Sequence, residues 1–303
     1  MNVALICPTL NAGKTTDNFF NALKKQSIKP DTLLAIDSSS DDNTLDLFKS
    51  NEFLIHQIPR TSFNHGFTRQ LALSLCPDAD IFIYMTQDAV LTSPHSIKNL
   101  LAPFEDKNIG AVCGRQLPHE NAMPIAAHAR LFNYPANSSI KSKDDIPRIG
   151  IKAAFLSNSY SAYRRTALMD VGGFPSNVIL SEDTYVGAKM LLAGWKLAYS
   201  ADATCNHSHN YSMIEEFRRY FDIGVFHGRE YWYLELLGKA EGEGKKFVLS
   251  ELKYLAQNAP WLIPSAIVRT GMKLIGYKLG QCERSMPLWL KRKLSMNKGY
   301  WKD

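Results

Sequence analysis

The sequence predicts an α/β fold, a mainly parallel sheet with helices on both faces, followed by a basic helical tail. Short apolar runs alternate with segments of helical spacing through the first half of the chain, and each run ends in a polar cluster. Lys and Arg gather after residue 244. Alternating strands and helices imply crossover connections, and crossovers deliver parallel strands.

Asn2 to Cys7 is a short apolar run that reads as a strand. A polar loop follows, then Asp17 to Gln26, where Phe19, Phe20 and Leu23 recur at helical spacing. Thr32 to Ile36 repeats the pattern as a strand ending on Asp37, and Asp42 to Asn51 is a helix through Leu45, Leu47 and Phe48. Phe53 to Ile58, Thr68 to Leu75 and Ile81 to Met85 continue as strand, helix and strand, the last running into Thr86-Gln87-Asp88. From Ile109 the pattern loosens. Gly110 to Gly114 is strand-like, residues 133–150 read as a mobile loop, and Met213 to Leu237 as one long helix. The domain boundaries are 1–240 for the α/β unit and 241–303 for the helical tail.

At 303 residues, 45% of them hydrophobic, the chain can bury a continuous core. Its first residues lack the basic and long apolar regions of a secretory signal, so a cytoplasmic location is expected. Cys7, Cys76, Cys113, Cys205 and Cys282 are an odd set without a CxxC pair, which argues for buried free thiols over disulfides or zinc. The run Trp261 to Val268 contains a proline, stops at Arg269 and is too short to span a bilayer. Residues 245–303 carry a net charge of +9 against +6 for the whole chain, so the basicity belongs to the tail.

In parallel sheets ligands bind beyond the carboxyl ends of the strands, where the polar clusters from Thr9, Asp37 and Gln87 fall. Gly13-Lys14-Thr15 resembles part of a phosphate-binding loop, but Pro8 stands where its first glycine is required, and that reading is rejected. Thr9 and Asn11 offer hydroxyl and amide groups suited to a base or ribose, or to a simple turn and cap. Asp37 suits hydrogen bonds from a base or ribose, and Asp41 or Asp42 a helix cap. His65 reads as structural, and Arg69, one turn into its helix, can meet phosphate or a neighbouring carboxylate. Asp88 is one exposed carboxylate where a hard cation would need oxygen ligands; His207 and His209, two apart on one strand face, can complete its shell or be structural. Glu182 and Asp183 sit at a helix start, where acids favour the dipole; in a cleft, adjacent carboxylates raise one pKa and create a base for a sugar hydroxyl.

Cys7-Pro8-Thr9-Leu10-Asn11, Ile36-Asp37-Ser38, Gln87-Asp88 and Glu182-Asp183 occur in an order and spacing that resembles family 2 glycosyltransferases, over roughly residues 1–240. Phe63 to Arg69, Thr86 to Ala89, Ser181 to Thr184 and Asn206 to Tyr211 are similar to the bacterial rhamnosyltransferases of polysaccharide and O-antigen assembly. The resemblance implies a GT-A fold with a Rossmann-like nucleotide-binding sheet, an inverting mechanism, a dTDP-rhamnose donor and a Mg²⁺ or Mn²⁺ ion. It implies a donor site drawn from Pro8, Thr9, Asn11, Asp37, Arg69, Gln87 and Arg115, with Arg115 steadying the diphosphate. It further implies Asp183 as base beside Glu182, and Asp88 as the remaining acid of a two-acid metal motif whose first position is Thr86, with His207 or His209 compensating.

The tail interleaves Trp261, Leu262, Ile275 and Trp289 with Arg269, Lys273, Lys278 and Lys291, a pattern that can lie on an anionic membrane surface. The expectation is peripheral attachment at the inner face of the plasma membrane, near a lipid-linked or oligosaccharide acceptor, with no nucleic acid partner. A nucleotidyltransferase and a non-catalytic sugar-nucleotide scaffold are the alternatives; the first lacks a glycine-rich basic triphosphate loop.

Overall fold

The computed structural model describes residues 1–13, 16–238 and 241–302; Lys14 and Thr15 of the rejected phosphate loop lie outside the described residues. The strands are β1 (Val3–Thr9), β2 (Thr32–Asp37), β3 (Leu54–Gln57), β4 (Ile81–Met85), β5 (Val90–Leu91), β6 (Ile109–Leu117), β7 (Ser139–Lys141), β8 (Tyr160–Arg164) and β9 (Lys196–Asn206). The helices are α1 (Asp17–Lys24), α2 (Thr44–Ser50), α3 (His65–Leu75), α4 (Ser96–Leu101), α5 (Pro124–Asn133), α6 (Ile146–Ile149) and α7 (Arg165–Asp170). They continue as α8 (Glu182–Leu192), α9 (Met213–Arg229), α10 (Tyr231–Leu237), α11 (Glu241–Asn258), α12 (Ile263–Gln281) and α13 (Leu288–Leu294).

Sheet order is β3-β2-β1-β4-β8-β6-β9-β5, with β7 added beside β9. β1 to β4 are parallel, as expected. The rest is mixed: β8 runs antiparallel to both β4 and β6, while β6 and β9 are parallel. Period-two alternation explains the apolar runs. Ala4 and Ile6 of β1 enter the core on one face of the sheet, with Phe82 and Tyr84 of β4, and Val3, Leu5 and Cys7 enter the other, with Ile81 and Ile83. Phe19, Phe20, Phe48 and Phe53 close that second face as edge-to-face or tilted pairs.

Three expectations change. Residues 133–150 are not one loop: β7 pairs with β9, and Ser142 and Asp145 form a capping box leading into α6. The long helix breaks at Glu230, whose ψ of 55° turns the chain so that Tyr233 and Leu237 of α10 reach the core. Cys282 is exposed, whereas the other four thiols are buried.

The tail packs back on the α/β unit. α12 crosses α9 at glycines: a Cβ on Gly280 would lie 2.0 Å from the Phe221 carbonyl oxygen, and one on Gly224 2.1 Å from that of Tyr277. Part of the tail's charge is internal, since Arg269 pairs with Glu216 at 3.0 Å and Lys291 with Glu283 at 2.6 Å. The buried Asp222 carboxylate of α9 accepts from Ser295 Oγ, the backbone N–H groups of Met296 and Asn297, and Asn297 Nδ2. That knot lays Met296 and Asn297 against the cavity described next.

Candidate active site

A cavity of about 940 Å³ opens beyond the carboxyl ends of β1 and β4. Ionisable groups reach it from the start of α8, from Arg69 on α3, from the turn after β4 and from the segment after β9.

α3 begins where Asn64 Oδ1 accepts from the N–H groups of Gly66 and Phe67, both at 3.0 Å. Such caps are worth about 1 kcal/mol. The cap sets α3 so that Arg69 lies against Glu182, with 3.1 Å between Arg69 Nη1 and Glu182 Oε1 and both side chains about 6% exposed. α8 starts after Ser181, a left-handed residue at φ 64°, without a side-chain cap. Glu182 and Asp183, about 100° apart around the helix, face different neighbours. Asn158 Nδ2 donates to Glu182 Oε1 at 2.9 Å, and Tyr163 Oη donates to Asn158 Oδ1 at 2.7 Å. Asp183 accepts from the N–H groups of Asn158 at 3.1 Å and Thr184 at 2.8 Å.

These neighbours separate the two acids. Burial and then the Glu182 charge push the Asp183 carboxyl up to about 7. Burial would raise Glu182 as well, but Arg69, His65 and the Asn158 amide outweigh it and hold that carboxyl low. The two neighbouring carboxyls are thus driven in opposite directions, Asp183 toward neutrality and Glu182 toward its ionised form.

On the same cavity, Asp88 Oδ2 lies 3.5 Å from His207 Nε2 and 3.6 Å from His209 Nε2. The three ligand atoms fall within 4.8 Å of one another. The histidines are not on a strand face, because β9 ends at Asn206; both lie in the connection between β9 and α9, and their rings meet edge to face. Burial and then His207 push His209 down to about 4, and burial lowers His207 too. Burial acts to raise Asp88, but His207, Thr86 and His209 outweigh it and keep the carboxyl ionised. Two imidazoles and one carboxylate make a donor set that fits a divalent cation.

The sequence-derived donor residues divide. Pro8, Thr9, Asn11, Arg69 and Gln87 line the cavity. Several of their polar groups bind one another: Gln87 Oε1 accepts from Thr9 Oγ1 at 2.8 Å and from the Leu10 N–H at 2.9 Å, and Asn11 Oδ1 accepts from the Asp41 N–H at 2.9 Å. Asp37 is fully buried, its carboxylate held by Ser40, and Ser38 rather than Asp37 reaches the wall. Asp42 accepts from the Thr44 N–H at 3.0 Å near the start of α2. Arg115 is off the wall and donates to the Tyr134 carbonyl at 3.2 Å, because its place on β6 turns it toward the end of α5. Arg130 and Arg219, which sequence reasoning passed over, line the cavity, and Asn158 is the third missed residue. Arg130 and Arg219 sit inside α5 and α9, well past the ends of β6 and β9, so only the tertiary packing brings them in.

A model described as glycosyl transferase family 2 matches residues 4–172. The chain is 49% identical to the O-antigen chain rhamnosyltransferase RfbN of Salmonella typhimurium, over 100% of this chain and 97% of that one. It is 47% identical to the O-antigen chain rhamnosyltransferase WbaN of Salmonella anatum, over 99% and 95%. The mannosyltransferase PcManGT of Pyrobaculum calidifontis, solved with GDP-Man and Mn²⁺, shares the fold at TM-score 0.58 and 19% identity, over 97% of this chain and 84% of that one. Residues 1–349 of S. aureus TarS share it at TM-score 0.53 and 16% identity, over 94% and 91%.

Proposed function

The chain belongs to glycosyl transferase family 2, and on that premise we propose that it transfers rhamnose from dTDP-rhamnose to a lipid-linked or oligosaccharide acceptor in cell-surface polysaccharide synthesis. One cavity holds both a carboxylate raised toward neutrality and a carboxylate–imidazole cluster, and this carries the reading.

Asp183, as the carboxylate, takes the proton of an acceptor hydroxyl. The freed oxygen bonds to the anomeric carbon as the bond from that carbon to the diphosphate oxygen breaks, and the electron pair leaves with the diphosphate. One displacement inverts the centre. The N–H groups of Asn158 and Thr184 hold Asp183 in place, and Glu182 keeps its basicity high. Arg130 and Arg219 give the cavity positive charge for a diphosphate. Asp88, His207 and His209 would hold a Mg²⁺ or Mn²⁺ ion, and the two nitrogens suit Mn²⁺ better. Such an ion, when bound, supplies charge that stabilises the leaving diphosphate.

The test is the unfolding midpoint with Mn²⁺ and a panel of nucleotide sugars, since a ligand that binds only the folded state raises it. A selective rise with dTDP-rhamnose is expected. A rise with a UDP or GDP sugar instead would overturn the donor, and no rise with any would set aside the donor site.

The proposal includes placement at the inner face of the plasma membrane. Among the described residues no helix is long and apolar enough to cross a membrane. Trp261 is 73% and Trp289 65% exposed, with Ile267, Val268 and Ile275 also open to solvent beside the basic residues of the tail. Exposed tryptophans amid cations favour an anionic interface.

A further inference from the structure

Gln116 of β6 is wholly buried, with its side chain enclosed by three polar partners. Its Oε1 accepts from Arg130 Nη1 at 2.7 Å and lies 2.8 Å from His207 Nδ1, while its Nε2 donates to Ser157 Oγ at 2.8 Å. These contacts leave no freedom of assignment. A guanidinium has donors only, so the Gln116 atom facing Arg130 is the oxygen. The same oxygen faces His207 Nδ1, which must therefore carry a proton. In the neutral ring the lone pair then resides on Nε2, 3.5 Å from Asp88 Oδ2 and on the side of His209.

We propose that Gln116 is a positioning residue for the cation site: it locks His207 in the tautomer protonated on Nδ1, so that Nε2 is presented as a ligand, and Arg130 locks Gln116. The proposal rests on the cation reading above. Without Arg130 the carboxamide can rotate by half a turn and offer N–H to Nδ1, which would move the imidazole proton to Nε2 and block the ligand. Backbone geometry supports the arrangement. Gln116 sits opposite Cys205 in the β6–β9 register, and the His207 N–H, one residue past the end of β9, donates to the Leu117 carbonyl at 2.9 Å, so the backbone bearing the ring is fixed to the strand that carries the carboxamide.

Two measurements on the full chain test this. The ring nitrogens of His207, read by long-range ¹H–¹⁵N spectra of the metal-free protein, are expected to show the proton on Nδ1; a proton on Nε2 overturns the proposal. Calorimetric titration with Mn²⁺ alone is expected to weaken by about 10- to 100-fold in Gln116→Met, the usual range for loss of a partner behind a ligand, and to recover in Gln116→Glu, which still accepts from both neighbours. Equal Mn²⁺ affinity in Gln116→Met and the parent would overturn the inference while leaving the cation site intact. No Mn²⁺ binding by the parent would remove the cation site and the inference with it. If Gln116→Met fails to fold, Arg130→Met takes its place, with a shift of the His207 proton toward Nε2 expected and an unmoved proton counting against the relay. A purely structural role would lower the unfolding midpoint without moving the ring proton.

Discussion

Adjacent carboxylates at the first turn of α8 meet the same burial, which raises both, yet end up shifted in opposite directions, because Arg69, His65 and the Asn158 amide outweigh it at Glu182 while Asp183 also meets the Glu182 charge. A base raised to about 7 is protonated below that pH and competent above it, so kcat/KM is expected to rise with pH through about 7. Glu182→Gln removes the like charge, and the acid limb of that profile is expected to move to lower pH. Asp183→Asn is expected to keep donor binding and lose about 10²- to 10⁴-fold in kcat, the range for a positioned base; unchanged turnover would remove the assignment. Arg69→Met leaves Glu182 buried without its cation and is expected to destabilise by about 3–5 kcal/mol, readable by urea unfolding.

At the scale of elements, the crossing of α9 and α12 depends on the absence of side chains. Gly280→Val forces apart helices whose backbones touch and is expected to cost about 1–3 kcal/mol and to lower activity, since α9 carries Arg219 to the cavity. Thermal unfolding and turnover of the one variant would check both. The strand and helix alternation from β1 to β4 was legible because each element buries its own faces, and period two or 3.6 is written locally. That Glu182 and Asp183 open a helix and that Asp88 follows a strand was legible because helix starts and strand ends are punctuated. β7 and the reversed β8 were not, since pairing with β9 or β4 is a long-range event that leaves no local period. Arg115 was misplaced for a related reason: the sequence shows that a residue lies near a strand end, but the face it takes follows from its neighbours in the sheet. His207 and His209 meet Asp88 from beyond the end of β9, not from the strand face that their spacing suggested.

Over the whole molecule, charge and apolar surface are unevenly shared. The tail exposes Trp261 and Trp289, yet Arg269 and Lys291 point inward to Glu216 and Glu283. Flotation with anionic liposomes is therefore expected to depend on the tryptophans as well as on salt: Trp261→Ser with Trp289→Ser should lower the bound fraction several-fold at low salt, and unaltered binding would argue against the interfacial face. Asp222 adds a long-range tether. Its four partners lie in residues 295–297, so one buried carboxylate on α9 holds the Met296–Asn297 stretch of the cavity wall, and that part of the wall stands or falls with a single side chain more than seventy residues away in sequence.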